Sequence, residues 1–308
     1  MVRAPGQDSS RALRRNRGFS LVELIVVIVI TGVIASVVGL FITGPIQGFL
    51  DQSRRAELVD AAQIALTRMG RDLRAALPNS VRISGNAMEL LLTLDGDRYR
   101  VETPGADDDR LSFTDVAGDT AFNTFAPLSP PDPVPGIDTS YPVTGSLAIY
   151  PLQQTGANPY VVADGVMTPS GDIDITPVLN GAQTEYRISL ASAGGTAPAA
   201  QPGFRSFPFD SPTRRLFLVQ GPVTYLCSPP QLLRYEGYAV TAAQAVPPAV
   251  PPGTPTLIAG DVQSCAFQYD PGTSQRNAVV SVVLAMADPA VPDERIRLVR
   301  QIHIGNSP

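Results

Sequence analysis

The chain has 308 residues, of which 44% are hydrophobic and 17% charged, and this is enough apolar material for one large or two modest folded units. Its 30 Pro and 26 Gly favour many turns and loops over a helical bundle. All 23 basic residues are Arg and only one His is present, which excludes Lys-dependent chemistry such as Schiff-base formation.

Positive charge is concentrated at the amino terminus. Residues 1–18 contain five Arg and one Asp, so the rest of the chain is more acidic than the total net charge of −5 suggests. Because affinity for nucleic-acid phosphates comes from clustered positive charge, an acidic body argues against a nucleic-acid partner. The Phe and Tyr residues are therefore interpreted as core and loop packing.

An apolar run follows this basic segment and is uncharged from Leu24 to Ile42. As a helix, residues 19–42 would be about 36 Å long, enough to cross a hydrocarbon core of about 30 Å. The preceding Arg residues predict that the amino terminus is cytoplasmic and that the body lies across the membrane. An ordinary secretory signal fits less well, because no A-x-A-like site closes the run and Glu23 lies near its start.

The segment RGFSLVEL at residues 17–24, followed by this apolar run, resembles the leader junction of type IV prepilins and pseudopilins. The resemblance implies that prepilin peptidase/methyltransferase cuts after Gly18 at the inner membrane and that Phe19 becomes the N-methylated terminus. It also implies that other pilin or pseudopilin subunits are the partners, and that Glu23 is the fifth residue of the mature chain.

Glu23 is an acidic residue in an apolar helix, where a charge costs about 2.5 to 3.5 kcal/mol near the bilayer centre and less near an end. In a bundle of staggered helices, the free ammonium of one Phe19 could pair with the Glu23 carboxylate of a neighbour. The alternative is that Glu23 extends to the lipid headgroups.

Beyond the membrane, the segment Thr43–Phe49 contains Pro45 between two glycines, which predicts a kink or a locally unwound stretch. From Asp51 to Leu77, apolar residues recur at steps of three and four and predict an amphipathic helix that Pro78 ends. We expect its apolar face to cover a sheet of the same chain; the alternative is a free coiled-coil seam.

Alternating apolar patterns separated by turn residues predict strands after Pro78. The candidate strands are Ser80–Ser84, Met88–Leu94, Arg98–Glu102, Arg110–Thr114, Leu147–Leu152, Tyr186–Ala191, Arg215–Val219, Pro222–Cys227, Leu232–Tyr238, Ser264–Tyr269, Val279–Ala285 and Arg295–Ile304. Asp95-Gly96-Asp97 predicts a hairpin turn, and the Pro-rich stretches Leu128–Gly136 and Ala245–Pro255 predict loops.

A helix followed by strands predicts an α+β fold, with one long helix packed on a mostly antiparallel sheet. The pilin resemblance implies the same fold. The predicted domains are a cleaved leader at 1–18, a transmembrane helix at 19–42, a linker with the amphipathic helix at 43–77 and a periplasmic β-rich body at 78–308.

Several body segments resemble the large minor pilin of the mannose-sensitive haemagglutinin (MSHA) pilus. These are RMGRDLRAALPNSVRI at the end of the helix, the aromatic stretch Phe204–Phe209, VTYLC ending at Cys227, and DVQSCAFQYDPG. Since a globular body of this size would crowd its lateral neighbours along a filament, we expect a non-enzymatic subunit that initiates or caps a filament. The alternatives are a minor pseudopilin of type II secretion and a membrane-anchored periplasmic adhesin or enzyme.

The two cysteines, Cys227 and Cys265, have no second Cys pair and no nearby His that would complete a zinc site. Beyond the membrane they would meet oxidising conditions, so a disulfide is predicted, with two buried free thiols as the alternative.

The remaining candidate reactive groups are a set of acidic residues and the single His. Asp107–Asp109, with Asp95 and Asp97, could bind calcium, but the EF-hand spacing is missing and no metal site is predicted. His303 lies on a candidate strand, and the chain has neither a G-x-S-x-G nor a G-x-G-x-x-G motif. We therefore expect no cofactor and no enzymatic activity.

Overall fold

A computed structural model describes residues 18–102, 110–114, 119–130, 139–190, 206–244, 253–273, 276–291 and 294–305. The chain comprises two compact units, Met1–Arg54 and Arg55–Pro308. Within the described residues, the secondary structure is one long α-helix, one short 3-10 turn at Val162–Asp164 and twelve β-strands.

The helix, α1, runs from Leu21 to Arg74. In its first part, the described side chains up to Leu50 are all exposed, although most of them are apolar. From Arg55 onward the helix is amphipathic, with a stripe of buried residues at three- and four-residue steps. This stripe comprises Leu58, Ala62, Ala65, Leu66, Met69 and Leu73. The stripe packs against strands of the same chain, as the sequence pattern predicts.

α1 is one helix through Pro45, so the structure shows no unwound stretch at Thr43–Phe49. A proline removes one backbone donor, and this loss can bend a helix without ending it. The kink stays a prediction.

The strands follow α1 in chain order. They are β1 (Arg82–Ser84), β2 (Ala87–Arg98), β3 (Ala121–Thr124), β4 (Tyr141–Ala148), β5 (Gly171–Asn180), β6 (Gln183–Ser189), β7 (Arg215–Ser228), β8 (Gln231–Glu236), β9 (Thr254–Ala259), β10 (Val262–Asp270), β11 (Ala278–Ala287) and β12 (Arg295–Ile304).

All of these strands pair antiparallel. The larger sheet has nine strands in the order β1-β2-β7-β4-β5-β6-β3, with β8 pairing with β7 and β9 pairing with β8. The smaller sheet has the order β10-β11-β12. The predicted α+β fold, an amino-terminal helix with a body dominated by antiparallel sheet, is confirmed.

Two hydrophobic clusters account for most of the core. The first joins the buried stripe of α1 to β2, β7 and the inner face of the smaller sheet, and includes Met69, Tyr225 and Val282. The second lies among β3 to β6 and the start of β7, and includes Phe122 and Ile175. The alternation of buried and half-buried residues along β11 shows how a period of two places one face of a strand in the core.

The hairpin predicted at Asp95-Gly96-Asp97 is wrong. β2 continues through these residues, and the register of its pairing with β7 shifts next to them, between Leu92 and Asp95. A Cβ atom on Gly96 would lie 3.1 Å from both the Leu216 carbonyl oxygen and the Phe217 ring. The glycine therefore permits the close approach of β7, and the two carboxylates accept backbone hydrogen bonds instead of closing a turn.

Other strand predictions also differ from the structure. Arg215–Val219 and Pro222–Cys227 belong to one strand, β7, and Arg110–Thr114 is not a strand. β3, β5 and β9 have no predicted counterpart. In β5 the buried Ile173 and Ile175 alternate with Asp residues and precede a proline, so the apolar signal is weak.

Most of the two Pro-rich stretches lies outside the described residues, at 131–138 and 245–252. Thr254 and Pro255, at the end of the second stretch, begin β9.

Candidate functional site

Gly18 and Phe19 precede the first helical residue, Leu21. Both are exposed, and Phe19 has 81% of its surface accessible. A Cβ atom on Gly18 would meet no atom within 4 Å. Packing against the residues that the structure describes therefore does not require a glycine there, and Gly18 and Phe19 are exposed for recognition by another protein.

Ser20 and Glu23 form the start of α1. The Ser20 hydroxyl accepts a hydrogen bond from the Glu23 backbone N–H at 3.1 Å, and the Ser20 carbonyl accepts the first helical bond, from Leu24, at 3.2 Å. This is the serine half of a Ser-x-x-Glu capping box, which satisfies an N–H that would otherwise lack a partner. The sequence analysis missed this cap, although the spacing from Ser20 to Glu23 signals it. Glu23 therefore lies in the first turn of α1.

Leu21–Gly39 is the one candidate membrane span among the described residues, by length and composition. Its two hydroxyl side chains donate to carbonyls of the preceding turn, Thr31 to Val27 at 2.7 Å and Ser36 to Gly32 at 2.8 Å. Such internal bonding suits a helix in apolar surroundings, where no water is available as a partner. Glu23 is the only charged residue of this span.

Residues 13–39 match a family model described as the prokaryotic N-terminal methylation motif. The match includes Gly18, Phe19 and Glu23, and it supports a class III signal peptide of the type IV pilin and pseudopilin kind. It also supports membrane anchoring by the apolar helix. No curated protein and no solved structure matches the chain significantly. The family match therefore covers only residues 13–39 and does not extend to the body.

A buried ion pair fixes the last turn of α1 to the larger sheet. The Arg234 Nε atom lies 2.8 Å from a carboxylate oxygen of Asp72, which also accepts the Tyr225 hydroxyl hydrogen at 2.8 Å. Arg234 also donates to Glu236 at 2.5 Å. Burial raises the pKa of Tyr225, and the neighbouring Asp72 charge raises this pKa further, so the phenol remains a donor. The group therefore joins the helix end to β7 and β8 through satisfied polar contacts.

A disulfide joins Cys227 of β7 to Cys265 of β10, with a Cα–Cα distance of 6.0 Å. It connects the nine-stranded sheet to the three-stranded sheet, and no described strand of one sheet pairs with a strand of the other. Because both cysteines belong to the core beneath α1, the bridge holds together the two sheets that the helix covers.

A second buried ion pair, Arg82 with Glu89, joins β1 to β2. The Arg82 Nη2 atom lies 3.0 Å from a Glu89 carboxylate oxygen, and the guanidinium stacks 3.6 Å above the Tyr160 ring. The other Glu89 oxygen is buried and has no hydrogen-bond partner within the described part of the chain. Burial raises the pKa of Glu89 above its usual value, and Arg82 only partly offsets this. No pattern in the sequence predicts the ion pair between Arg82 and Glu89.

The possible calcium ligands separate in the structure. Asp107–Asp109 lie outside the described residues, while Asp95 and Asp97 accept hydrogen bonds from the backbone N–H groups of Ser129 and Ala126. In the described part of the chain, no three His, Cys, Asp or Glu residues form a cluster that could hold a metal ion. His303 is exposed on β12.

Proposed function

We propose that the chain is a minor pilin-like subunit that is cleaved between Gly18 and Phe19, N-methylated at Phe19 and assembled with other pilin subunits. The match of residues 13–39 to the methylation motif carries this proposal. Before assembly the subunit is anchored by a single pass through the inner membrane, with residues 1–18 cytoplasmic and the body periplasmic. Prepilin peptidase/methyltransferase is its processing partner.

The apolar surface of α1 supports assembly through helix contacts. The described side chains of residues 19–39 are exposed to solvent, and transfer of apolar surface from water is favourable by about 25 cal/mol per Å². Lipid covers this surface before assembly, and neighbouring helices cover it in a filament. In that apolar bundle the Phe19 ammonium of one subunit pairs with the Glu23 carboxylate of another, so neither charge is left unpaired.

The finer proposal is an MshO-like subunit of an MSHA-type pilus. It is supported by the resemblance of the helix end and of the segments around Cys227 and Cys265. A body of this size would crowd its lateral neighbours if it repeated along a filament, which favours initiation or capping. A minor pseudopilin of type II secretion is the alternative, and an anchored adhesin or enzyme is a further one. The pilin family is structural, which favours a non-enzymatic role.

Intact mass spectrometry of the chain tests the processing step. In cells with prepilin peptidase we expect the chain Phe19–Pro308 with one added methyl group, and in cells lacking the peptidase the full 308 residues. Gly18→Val should block cleavage. Gly32→Val is the matched control, because a Cβ at Gly32 also meets no atom within 4 Å. A retained leader in peptidase-containing cells, or cleavage after the apolar run, would overturn the proposal.

Crosslinking in the native host separates the pilus from the secretion system. A photocrosslinking residue on the exposed face of α1, at Ile64, should capture MSHA pilins if the finer proposal holds. Capture of type II pseudopilins instead would overturn the MSHA assignment and leave the coarser one intact.

A further inference from the structure

β12 is an edge strand whose backbone pairs with another strand on one side only. It pairs with β11 in an unbroken register from Ala278↔Ile304 to Ala287↔Arg295. Its 10 residues make no other backbone hydrogen bond to the described part of the chain. One side of β12 therefore presents a row of unpaired N–H and C=O groups, which is a template for pairing with another strand.

The other sheet edges are short or interrupted. β1 has 3 residues and β3 has 4. β9 contains Pro255, and its pairing with β8 is shifted at Leu232. β10 has a register irregularity between Val262 and Ser264 and is bridged to β7 by the disulfide. Short strands, prolines, bulges and charged side chains all limit edge pairing, and of these β12 has only charged side chains, all of them arginines.

The charge on β12 indicates which strand it accepts. The strand carries Arg295, Arg297 and Arg300 and no acidic residue. Arg295 and Arg297 are exposed and have no ion-pair partner among the described residues, whereas Arg300 donates to Thr67 of α1 at 3.0 Å. The adjacent Glu294 is already paired with Arg55 at 2.6 Å, so it does not neutralise the strand.

We propose that the free edge of β12 is an interaction surface that takes an extended acidic segment of a neighbouring subunit as an added strand. Main-chain hydrogen bonds would supply affinity, and Arg295 and Arg297 would select carboxylates at alternate positions of the incoming strand. The same arginines would repel basic strands, so the edge stays selective. That the partner is a pilin subunit depends on the proposed function.

A second copy of the chain fits this edge poorly. Pairing of β12 with β12 of another copy would bring two arginine-rich strands together, and like charges across a strand pair are destabilising. An anionic lipid or polymer would use the arginines but would not need the long unbroken backbone edge. These two occupants are therefore outcomes of the test.

The test measures binding of fluorescent peptides to the full chain in detergent by anisotropy. The probes match the 10 residues of β12 in length. One alternates Thr and Glu, one has the same charges with Pro replacing the central Thr residues, and one alternates Thr and Arg. We expect the acidic peptide to bind, the proline peptide to bind about tenfold more weakly, and the basic peptide not to bind. Amide exchange should slow within residues 295–304 when the acidic peptide is present.

Two double variants complete the test. Arg295→Glu/Arg297→Glu should weaken acidic-peptide binding by about tenfold or more and create binding of the basic peptide. Arg98→Glu/Arg215→Glu is the matched control. These two residues are exposed and lie opposite each other on β2 and β7, and their reversal changes the net charge equally.

Three results would overturn the proposal: no binding of the acidic peptide, equal binding of the proline peptide, or an equal loss in the control variant. The second result would indicate attraction to any anion, including lipid. A fourth result would also overturn it: protection of residues 295–304 from amide exchange that rises with protein concentration in the absence of peptide would indicate self-pairing instead. Leader cleavage is measured separately by intact mass. If the peptide test fails, the proposed function is unaffected, and if cleavage fails, the result of the peptide test is unaffected.

Discussion

Glu23 is held by the backbone at the start of α1 and carries the only charge of the apolar helix. Its backbone N–H donates to Ser20, so this cap does not depend on the Glu23 side chain. The capping role and the charge-pairing role of position 23 can therefore be separated by substitution.

Glu23→Ala should abolish crosslinking to partner subunits while the chain is still inserted and processed. The variant removes one partner of the proposed buried pair and leaves a Phe19 ammonium uncompensated, a loss of about 3 to 5 kcal/mol. Insertion should persist because Ala lowers the cost of entering lipid. Crosslinking yield and intact mass are measured together.

Ser20→Ala is the control for this prediction, because it removes the cap and keeps the charge. It should cost about 1 kcal/mol of helix stability and leave crosslinking largely intact. If Glu23→Ala crosslinks as well as the parent chain, the carboxylate extends to the headgroups and the pairing is wrong.

Because the pKa of Glu89 is shifted by folding, we expect the stability of the body to depend on pH. Its pKa in the folded state lies above the value of 4.5 expected for an unfolded chain, because burial disfavours the carboxylate. The folded state therefore binds the proton more tightly. The contribution of Glu89 to stability is full below pH 4.5 and is lost as the pH rises through the raised pKa.

Glu89→Gln should remove this dependence. Denaturant melts of the parent chain and the variant between pH 4 and pH 8 should show that the stability of the parent relative to the variant increases as the pH falls. A difference that stays constant over this range would show that Arg82 keeps Glu89 ionised with an unshifted pKa.

At the scale of elements, the disulfide and α1 act on the same interface. The helix covers strands of both sheets, and the bridge between Cys227 and Cys265 prevents the sheets from separating beneath it. The Asp72–Arg234 pair fixes the helix end to the larger sheet, and the hydrogen bond from Arg300 to Thr67 connects the helix to the smaller sheet.

Alkylation tests the bridge. In denaturant without reductant we expect neither cysteine to be labelled, and with reductant both. The denaturant matters because Cys227 is only 3% exposed and would resist labelling in the folded state even as a free thiol. Reduction should lower the free energy of unfolding by about 4 kcal/mol, from the loop-closure entropy of a 38-residue separation. Complete labelling without reductant would contradict the bridge.

At the scale of the whole molecule, the chain combines an apolar helix, a basic leader and an acidic body. Removal of residues 1–18 would discard most of the amino-terminal positive charge, so the mature subunit would be more acidic than the precursor. Arg295 and Arg297 of β12, which have no ion-pair partner among the described residues, form a positive strip on this acidic body. Subunits with acidic bodies would repel each other generally, and a positive strip would restrict close contact to one side.

Some features followed from the sequence alone because their signals are local. The apolar run, the preceding arginines and the Gly18-Phe19 junction lie within a short segment, and helical periodicity marked the buried stripe of α1. The α+β class followed from the order of these patterns. One strand, Arg295–Ile304, also has the predicted bounds.

Other features were decided only by the tertiary structure, because they depend on residues far apart in the chain. Asp95-Gly96-Asp97 has the composition of a turn, yet the close approach of β7 keeps β2 extended through it. Asp72 meets Arg234, and Arg82 and Glu89 meet Tyr160, only after the sheet has formed. The free edge of β12 is likewise a property of strand order. Local physical chemistry thus determined the candidate membrane span and the segment that matches the methylation motif, whereas pairing between distant strands determined the interior contacts and the exposed edge.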